Sequence, residues 1–367
     1  MKFVIAREAL LKPLNLVAGV VERRQTLPIL ANVLLVLDGE WLSLTGTDLE
    51  VELVGRVKLE SAGDSGEITV PARKLVDICK SLPEGCDIAF SVSEGKMVVR
   101  SGRSRFTLST LPATDFPNVE DSTGTHKITL LQGQLKRLVD RTAFAMAQQD
   151  VRYYLNGMLW ELQPDKLRVV ATDGHRLAMC TLEGEFPVEE SKQVIIPRKG
   201  VIELARLLQD EGEQIALVIG NNHIRAKTEE FTFTSKLVDG KFPDYERVLP
   251  RNPDKKVLGS RLELRQAFAR TAILSNEKYH GVRLTLSTNN LQIVANNPEQ
   301  EEAEEVVSVE YEGESVEIGF NVSYLLDVMG VLTGEKVQIS LSDPSSSALV
   351  EESEDGDSLY VVMPMRL

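Results

Sequence analysis

The stretch Ile68-Thr69-Val70-Pro71-Ala72-Arg73-Lys74-Leu75-Val76 decides the fold, because the chain contains three versions of it. Each version joins a short apolar run, a residue that ends the strand and the start of an amphipathic helix. The strand-ending residues are Pro71, Pro197 and Asn321, which lie 126 and 124 residues apart. A period of this length is that of a whole small domain. The sequence therefore predicts three domains in tandem.

Two further markers repeat in the same register. One ends at Asp48, Asp173 and Asn297, which are 125 and 124 residues apart. The other is a Phe-Pro pair at 116–117 that recurs at 242–243 and closes the first two copies. We therefore predict domain boundaries near 121 and 250, with domains at 1–121, 122–249 and 250–367.

The composition is that of a folded protein of the cytosol. Apolar residues make up 43% and charged residues 26% of the chain, and no apolar run is long enough to cross a bilayer. The N-terminus lacks the pattern of a secretion signal. The three cysteines are odd in number and include no CxxC pair, so neither a disulfide framework nor a zinc site is indicated and no cofactor is expected.

Each copy is predicted to be α+β, with a helix, strands, a second helix and further strands. Asp38-Gly39 between two apolar runs indicates a hairpin. The opening helix of the second copy is predicted to be amphipathic. Its packing face would be Leu131, Leu135, Leu138, Val139 and Thr142, and its basic face Lys136, Arg137 and Arg141.

Charge is distributed unevenly along the chain. The net charge is −14, and the third copy has 10 basic against 20 acidic residues, many of the latter in 299–305. The first copy has Arg100, Arg103 and Arg105 around Phe106 and Leu108. An acidic end that meets a basic end makes a head-to-tail contact, which gives rings or filaments. An ordinary solvated surface is the alternative for the acidic run.

The second helices of the first two copies are rich in basic residues. These are Arg73, Lys74 and Lys80, then Arg198, Lys199 and Arg206. Solvated side chains of ordinary amphipathic helices would explain any one helix. Because the feature recurs, it favours a basic surface that attracts the phosphate backbone of a nucleic acid without reading the base sequence.

Motifs of catalysis are missing from the sequence. It contains no P-loop, G-x-G-x-x-G, H-E-x-x-H or G-x-S-x-G, and no histidine precedes Ser65 in the protease-like Gly63-Asp64-Ser65-Gly66. Asp173 and His175 could form an acid-base pair, but residues two apart in a turn more often shape a surface. A hydrolase that uses this pair and a non-DNA scaffold of three interaction modules stay open as alternatives.

The whole chain resembles the β-subunit family of bacterial DNA polymerase III, the sliding clamps. The resemblance rests on the threefold repeat and on five segments, 45–50, 150–157, 171–177, 296–302 and 361–367. It implies a head-to-tail homodimer whose six domains surround duplex DNA, with helices inside and antiparallel sheets outside. Such a clamp has no catalysis of its own and tethers replicative and repair polymerases. A separate ATP-driven loader would open it.

The resemblance also implies roles for individual residues. The dimer seam would join Phe106 and Leu108 to Ile273 and Leu274, and Lys74, Arg103 and Arg105 to Glu299, Glu301, Glu302, Glu304 and Glu305. The implied DNA-facing residues are Arg24, Gln149, Arg152, Tyr153, Tyr154, Arg198, Lys199 and Arg283, in addition to Arg73 and Arg206 from the basic helices. Tyr153 and Tyr154 could instead be packing residues.

A cleft between the second and third domains would bind short peptides of polymerases, the loader and repair proteins. Its implied residues are Leu155, Thr172, Gly174, His175, Arg176, Leu177, Pro243, Arg247, Val248, Ser347, Val361, Val362, Met363, Pro364, Met365 and Arg366. Methionine and aliphatic walls suit varied apolar peptides. The alternative for 361–363 is a final core strand.

Overall fold

The structure, a computed structural model, describes residues 1–21, 27–117, 124, 126–209, 212–353 and 356–366. Every copy has the same order of elements, namely a strand, a helix, four strands, a second helix and three strands. The expectation of three α+β repeats is therefore confirmed. The helices are α1 Arg7–Ala18, α2 Ala72–Ser81, α3 Gln132–Asp140, α4 Arg198–Leu207, α5 Arg261–Ala272 and α6 Val322–Val331.

The second helix of each copy begins directly after the predicted strand-ending residue. α2 follows Pro71, α4 follows Pro197 and α6 follows Asn321. Asn321 caps its helix, because its side-chain oxygen accepts a hydrogen bond from the backbone N–H of Ser323 at 2.9 Å. This N-terminal cap explains why asparagine can replace proline at this point of the repeat.

The strands pair antiparallel throughout the described residues. The first copy supplies β1 Lys2–Ala6, β2 Asn32–Asp38, β3 Trp41–Thr47, β4 Val51–Lys58, β5 Gly66–Pro71, β6 Asp87–Ser93, β7 Lys96–Ser101 and β8 Ser104–Ser109. The second supplies β9 His126–Leu131, β10 Gly157–Gln163, β11 Lys166–Thr172, β12 Arg176–Glu183, β13 Lys192–Pro197, β14 Gln214–Ile219, β15 His223–Lys227 and β16 Phe231–Lys236. The third supplies β17 Lys255–Ser260, β18 Gly281–Ser287, β19 Asn290–Asn296, β20 Glu302–Ser308, β21 Val316–Asn321, β22 Lys336–Leu341, β23 Ala348–Glu352 and β24 Ser358–Val362.

Consecutive copies share a sheet. The chain divides into a first unit, Met1–Gly133 with Ile202–Leu237, and a second unit, Gln134–Val201 with Val238–Leu367. In the first unit one sheet has the order β5-β2-β3-β4-β16-β15-β14-β9, and in the second unit one has the order β13-β10-β11-β12-β24-β23-β22-β17. The second copy therefore contributes strands to both units. The pairings β4–β16 and β12–β24 are the two junctions between copies.

A four-stranded sheet completes each unit. Its order is β1-β6-β7-β8 in the first unit and β20-β19-β18-β21 in the second. Helices cover one face of the sheets, since α1 packs on β3 and β4 in the first unit and α5 packs on β19 and β20 in the second. The cores lie between these layers and include Leu44, Leu264 and Phe268, each fully buried.

Two expectations for the opening helix of the second copy were wrong. Leu131 belongs to β9 and is 47% exposed, and Arg141 is buried and not on a basic surface. α3 ends at Asp140, so the helical period no longer applies to Arg141. Its guanidinium instead contacts Asp357 at 3.0 Å and Glu352 at 3.5 Å.

Candidate functional site

A tight turn at 172–176 joins β11 to β12 in the second unit. The Thr172 hydroxyl donates to the carbonyl of Arg176 at 2.6 Å and accepts the N–H of Gly174 at 3.1 Å. Asp173 Oδ1 accepts the N–H groups of His175 at 2.9 Å and Arg176 at 3.0 Å. Gly174 has φ +88°, which only glycine adopts without strain.

This bonding explains the Asp173 and His175 pair. The carboxylate holds the turn through backbone N–H groups and through the Arg176 Nε at 3.2 Å. His175 is exposed, and its backbone N–H, not its imidazole, bonds Asp173. The pair therefore shapes a surface, as the spacing of the two residues indicates, and the hydrolase alternative gains nothing from the geometry.

An apolar cluster lies beside the turn, on one face of the eight-stranded sheet of the second unit. We call this face, on which the side chains of Leu177 and Val361 lie, the outer face. The cluster contains three predicted cleft residues, Leu155, Leu177 and Val361, all nearly fully buried. Leu177 and Val361 are direct partners across the β12–β24 pairing. The cluster also holds Ala147, Leu159, Val170, Met179, Ile195, Phe242 and Tyr245, with Tyr154, Val238, Leu249, Leu349 and Leu359 packed against it.

The C-terminal segment continues from β24 along the turn. The N–H of Met363 donates to the carbonyl of His175 at 3.0 Å, and the N–H of Met365 donates to the carbonyl of Gly319 at 2.8 Å. Met363 is 48% exposed beside the buried Val361. Pro364 and Met365 are half-buried and Arg366 is exposed. The segment is therefore anchored through its backbone while the Met363 side chain stays accessible.

The segment after Phe242 forms another border of the cluster. Pro243, Arg247 and Val248 are exposed, and Arg247 Nε contacts Asp244 at 2.7 Å. Ser347 is half-buried in the loop between β22 and β23, in which Asp343 accepts bonds from Ser345 and Ser346 that lower the pKa of its carboxyl to about 2. These residues can border a ligand that covers the apolar cluster.

A polar pocket of about 340 Å³ adjoins the cluster at Leu159, Phe242 and Tyr245. Glu161 lies inside it and accepts hydrogen bonds from the Tyr245 hydroxyl and the Gln193 amide, each at 2.8 Å. Arg168 donates to the Tyr245 oxygen at 3.0 Å. The buried carboxylate is thus fully hydrogen-bonded, as stability requires. Burial raises the pKa of Tyr245 to about 12.

Two predicted cleft residues have side chains on the opposite face of the sheet. Successive side chains of a strand alternate between faces, so Val362 and Arg176 lie opposite to Val361 and Leu177. Val362 is fully buried, and Arg176 contacts α6 through Asp327. The alternative of a core strand therefore holds for Val362. Neither side chain forms a wall of the cleft.

The predicted DNA-facing residues of the 149–154 loop are largely exposed. Gln149 is exposed at φ +57°, and Tyr153 is 58% exposed. Tyr154 is half-buried against the apolar cluster, so the packing alternative fits it better than Tyr153. Arg152 is held by Asp150, with Nε and Nη2 at 3.0 and 2.8 Å from the carboxylate, and by the carbonyl of Asp173 at 3.2 Å.

The other predicted DNA-facing residues differ in their surroundings. Arg73 is exposed on α2, whereas Arg198 and Lys199 are half-buried at the start of α4. Arg206 donates to the carbonyl of Leu16 at 2.8 Å and contacts Glu203 at 3.0 Å. Arg24 lies outside the described residues.

Arg283 does not belong with the basic helix faces. It is exposed on strand β18, and its neighbours Val282 and Leu284 point into the core that α5 covers. By strand alternation its side chain lies on the face away from the helix. Its Nε lies 3.5 Å from Glu317 on the adjacent strand β21. We therefore remove Arg283 from the helix-side set of DNA-facing residues.

The predicted seam residues lie on or near the end strands of the two four-stranded sheets. Arg105 is exposed on β8, Phe106 is half-buried and Leu108 is buried. Near β20, Ile273 is 76% exposed, whereas Leu274 is half-buried. The remaining seam residues Lys74, Arg103, Glu299, Glu301, Glu302 and Glu304 are exposed, and Glu305 is half-buried.

Part of the acidic run is already hydrogen-bonded within the chain. Arg270 contacts both oxygens of Glu305, at 2.5 and 2.9 Å, which lowers the pKa of that carboxyl. Glu304 accepts a bond from Gln292 at 2.7 Å. Glu305 is therefore a weaker candidate for a partner's basic group than Glu302.

The described part of the chain has no metal-binding cluster, and two of its three thiols are buried. It contains no group of three or more His, Cys, Asp or Glu residues that could hold a metal ion. Burial raises the pKa of Cys79 to about 12 and that of Cys180 to about 11, so both thiols are protonated at neutral pH.

No helix within the described ranges is long and apolar enough to span a membrane.

Comparison with known proteins defines the class as a sliding clamp, a processivity factor and not a catalytic subunit. Models of the DNA polymerase III beta subunit match residues 1–120 as its N-terminal domain, 129–244 as its central domain and 246–366 as its C-terminal domain. The chain belongs to the DNA polymerase III beta subunit family.

Full-length relatives support this membership. The chain is 68% identical over 367 residues to the beta sliding clamp of Pseudomonas aeruginosa and 56% identical over 370 residues to that of Escherichia coli K12, with each chain covered completely. A crystal structure of the Pseudomonas aeruginosa subunit matches with a TM-score of 0.98 at 67% identity, again with full coverage of both chains. Caulobacter crescentus pol III beta matches with a TM-score of 0.94 at 39% identity and the same coverage.

Proposed function

We propose that two copies of this chain join head to tail into a ring around duplex DNA, and that the ring slides while it tethers replicative and repair polymerases. The observation that carries the proposal is the end strand of each four-stranded sheet. β20 occupies the position in its copy that β4 and β12 occupy in theirs, and β8 corresponds to β16 and β24. Both internal junctions pair exactly such strands, so β20 of one chain is suited to pair with β8 of another.

Side chains near these two strands support the same seam. The exposed Ile273, with Leu274, offers an apolar surface to Phe106. The exposed Arg103 and Arg105, before and on β8, can meet exposed glutamates before and on β20. Solvent-exposed ion pairs contribute little each, so the apolar contacts supply most of the affinity. The charges set which end meets which.

DNA is held without sequence readout in this proposal. The residues that we assign to it are Gln149, Arg152, Tyr153, Tyr154, Arg73, Arg198, Lys199 and Arg206, with Arg24 as an expectation from the sequence. Phosphate attraction through a few basic groups permits sliding, whereas bidentate base contacts would fix the ring in place. Arg73, Arg152, Arg198 and Arg206 each already donate to a backbone carbonyl of the chain, and their remaining guanidinium N–H groups can bind phosphate.

The apolar cluster and the exposed Met363 form the proposed docking cleft for short peptides of polymerases, the clamp loader and repair proteins. A sliding clamp from Pseudomonas aeruginosa, 68% identical to this chain, has been solved with griselimycin bound. Griselimycin is therefore a suitable probe for the cleft. We expect a variant truncated after Val362 to lose griselimycin while it still dimerises.

The domains that we propose are 1–121, 122–249 and 250–367, each one copy of the repeat. The three family models match 1–120, 129–244 and 246–366, and each of these limits lies within seven residues of the proposed bound. A protein that acts on the replicating chromosome belongs in the cytoplasm with the nucleoid. We propose that location.

Retention on DNA tests the ring. The protein is loaded by its clamp loader onto a nicked circular plasmid, and its release is followed before and after the plasmid is cut once. We expect long retention on the circle and rapid loss after the cut, because only topology holds the ring. The double variant Ile273→Ala with Leu274→Ala is the control and should escape from both. Equal retention of the unmodified protein on circular and linear DNA would refute the proposal.

A further inference from the structure

Arg176 occupies an unusual position in the second unit. Its side chain is only 12% exposed, and its guanidinium lies 4.5 Å from the ring centre of Tyr324 and 5.2 Å from that of Phe144. Nη2 donates to the carbonyl of Phe144 at 2.9 Å, and Nη1 contacts the carboxylate of Asp327. Cation-π contacts gain strength when the cation is shielded from water, as it is here.

The same guanidinium holds the turn that borders the cleft. Nε contacts Asp173 Oδ2 at 3.2 Å, while the other oxygen of that carboxylate accepts the backbone N–H groups of His175 and Arg176. His175 in turn offers its carbonyl to the N–H of Met363 at 3.0 Å. A continuous chain of contacts thus runs from α6 through Arg176 and the turn to the backbone N–H of Met363.

The two ends of this chain of contacts lie on opposite faces of the sheet. Tyr324 and Asp327 belong to α6, whereas Leu177, the next residue after Arg176, belongs to the apolar cluster on the outer face. The contact that links Asp327 to the turn, and so to a ligand on the outer face, is the one with Arg176. This separation distinguishes a residue that positions the cleft from one that touches its ligand.

We propose that Arg176 is a positioning residue for the peptide cleft: it ties the turn 172–176 to α6 and so fixes the site at which Met363 meets the ligand. The inference rests on the proposed docking cleft and adds α6 as a part of the structure on which peptide affinity depends. Asp327 and Tyr324 are its partners in this role. None of the three side chains needs to contact the peptide.

A double-mutant cycle with griselimycin as the probe tests this assignment. We expect Arg176→Ala and Asp327→Ala each to weaken griselimycin binding, by about tenfold for the arginine, which is the range of coupled neighbours. The double variant should bind no more weakly than Arg176→Ala alone, because Asp327 acts only through Arg176. Alanine at 327 suits a helix interior, so α6 should remain folded.

Two further variants separate positioning from general damage. Arg176→Lys keeps the charge but cannot make the planar, multiple contacts of the guanidinium, so it should restore only part of the affinity. Asp140→Asn removes the 2.6 Å contact with Lys136 on α3, an exposed helix ion pair of the same unit, and should leave binding unchanged. In both Arg176→Ala and Asp327→Ala, hydrogen exchange of the Met363 amide should accelerate.

The possible outcomes separate a failure of the proposed docking cleft from a failure of the positioning role of Arg176. If the unmodified protein does not bind griselimycin, the proposed docking cleft fails. If it binds, and Asp327→Ala binds equally well with unchanged Met363 exchange, the positioning role of Arg176 is refuted. Additive losses in the double variant would also refute it, since they would mean that the two residues act independently.

Discussion

The two junctions between copies have the same backbone but different side chains. In the first unit the Thr47 hydroxyl donates to the carbonyl of Val51 at 2.9 Å, and Asp48 Oδ1 accepts the N–H of Glu50 at 2.9 Å. The turn 172–176 of the second unit makes the corresponding bonds. In each unit the strand of the neighbouring copy also bonds this turn. The N–H of Lys236 donates to the carbonyl of Glu50 at 2.8 Å in the first unit, and that of Met363 to the carbonyl of His175 at 3.0 Å in the second.

The side chains at matching positions differ in polarity. Leu177 pairs with Val361 across the second junction, whereas Glu52 pairs with Thr234 across the first. The exposed Met363 of the second junction corresponds to the exposed Lys236 of the first. The repeat therefore supplies a common framework, and a few apolar substitutions make one of the two junctions a cleft.

Introducing the first junction's glutamate into the second should have the largest effect. Leu177→Glu buries a carboxylate in an apolar cluster and should reduce the free energy of unfolding by about 3 kcal/mol. Griselimycin binding should be lost. Urea denaturation and calorimetry measure the two quantities. Glu52→Leu is the matched control, and we expect it to leave griselimycin binding intact.

A milder variant covers the case in which Leu177→Glu does not fold. Val361→Thr keeps the shape of the side chain and adds one buried hydroxyl, as at Thr234, so we expect a loss of about 1–3 kcal/mol in stability. Griselimycin should bind more weakly. Unchanged affinity would mean that the apolar cluster does not form the floor of the cleft.

The proposed β8–β20 seam is a third junction of the same kind, made between chains. Ile273→Ala with Leu274→Ala should weaken dimerisation by about 100-fold, because central apolar contacts dominate such interfaces. Sedimentation at several concentrations measures this. Val4→Ala, an exposed valine on β1, is the control. A dimer of unchanged affinity would place the seam elsewhere.

Exchanging the residue at the left-handed position of the turn, Leu49 or Gly174, should change stability by a smaller amount and with opposite sign in the two units. Leu49 has φ +79° where the second junction has Gly174 at φ +88°. Gly174→Leu should cost about 1–2 kcal/mol of stability, from backbone strain. It would also bring a Cβ to within 3.0 Å of the Arg152 guanidinium. Leu49→Gly should relieve strain in the first unit and cost nothing comparable. Urea denaturation of both variants tests the pair.

Acid should affect the second junction through Asp150, the partner of Arg152. Hydrogen bonds from Arg152 lower the pKa of this carboxyl from 3.8 to about 2. A lowered folded-state pKa adds stability that is complete above the unfolded pKa and is lost as the pH falls through the folded pKa. The small difference in stability between the unmodified protein and Asp150→Asn should therefore shrink between about pH 4 and pH 2. A carboxyl resonance of Asp150 that titrates near pH 4 would contradict this.

The sequence was sufficient for whatever depends on local pattern. The helix starts after Pro71, Pro197 and Asn321 and the Asp38-Gly39 hairpin each depend on neighbouring residues. The repeat is recognisable because such local patterns recur at a fixed spacing, and the structure confirms all of these. The buried Arg141 was not predictable in this way, because its partners Asp357 and Glu352 are more than 200 residues distant.

The candidate site was predictable in its residues but not in its faces. Val361 and Val362 are neighbouring valines that no local pattern distinguishes. Only the pairing of β24 with β12 determines that Val361 faces the apolar cluster and Val362 the opposite face. Phe242 and Tyr245 belong to the cluster although the sequence indicated only a domain boundary near Phe242. Their burial depends on how the segment after β16 folds onto another sheet, which no local pattern encodes.

The sharing of sheets has a consequence for dissecting this protein by truncation. A fragment that stops near residue 121 would keep β4 without β16, and one that starts there would keep β16 without β4. Each severed strand would present a long row of unsatisfied amide groups to solvent, which invites aggregation. The central repeat is therefore a poor candidate for recombinant excision, and only the intact polypeptide gives its strands their proper neighbours.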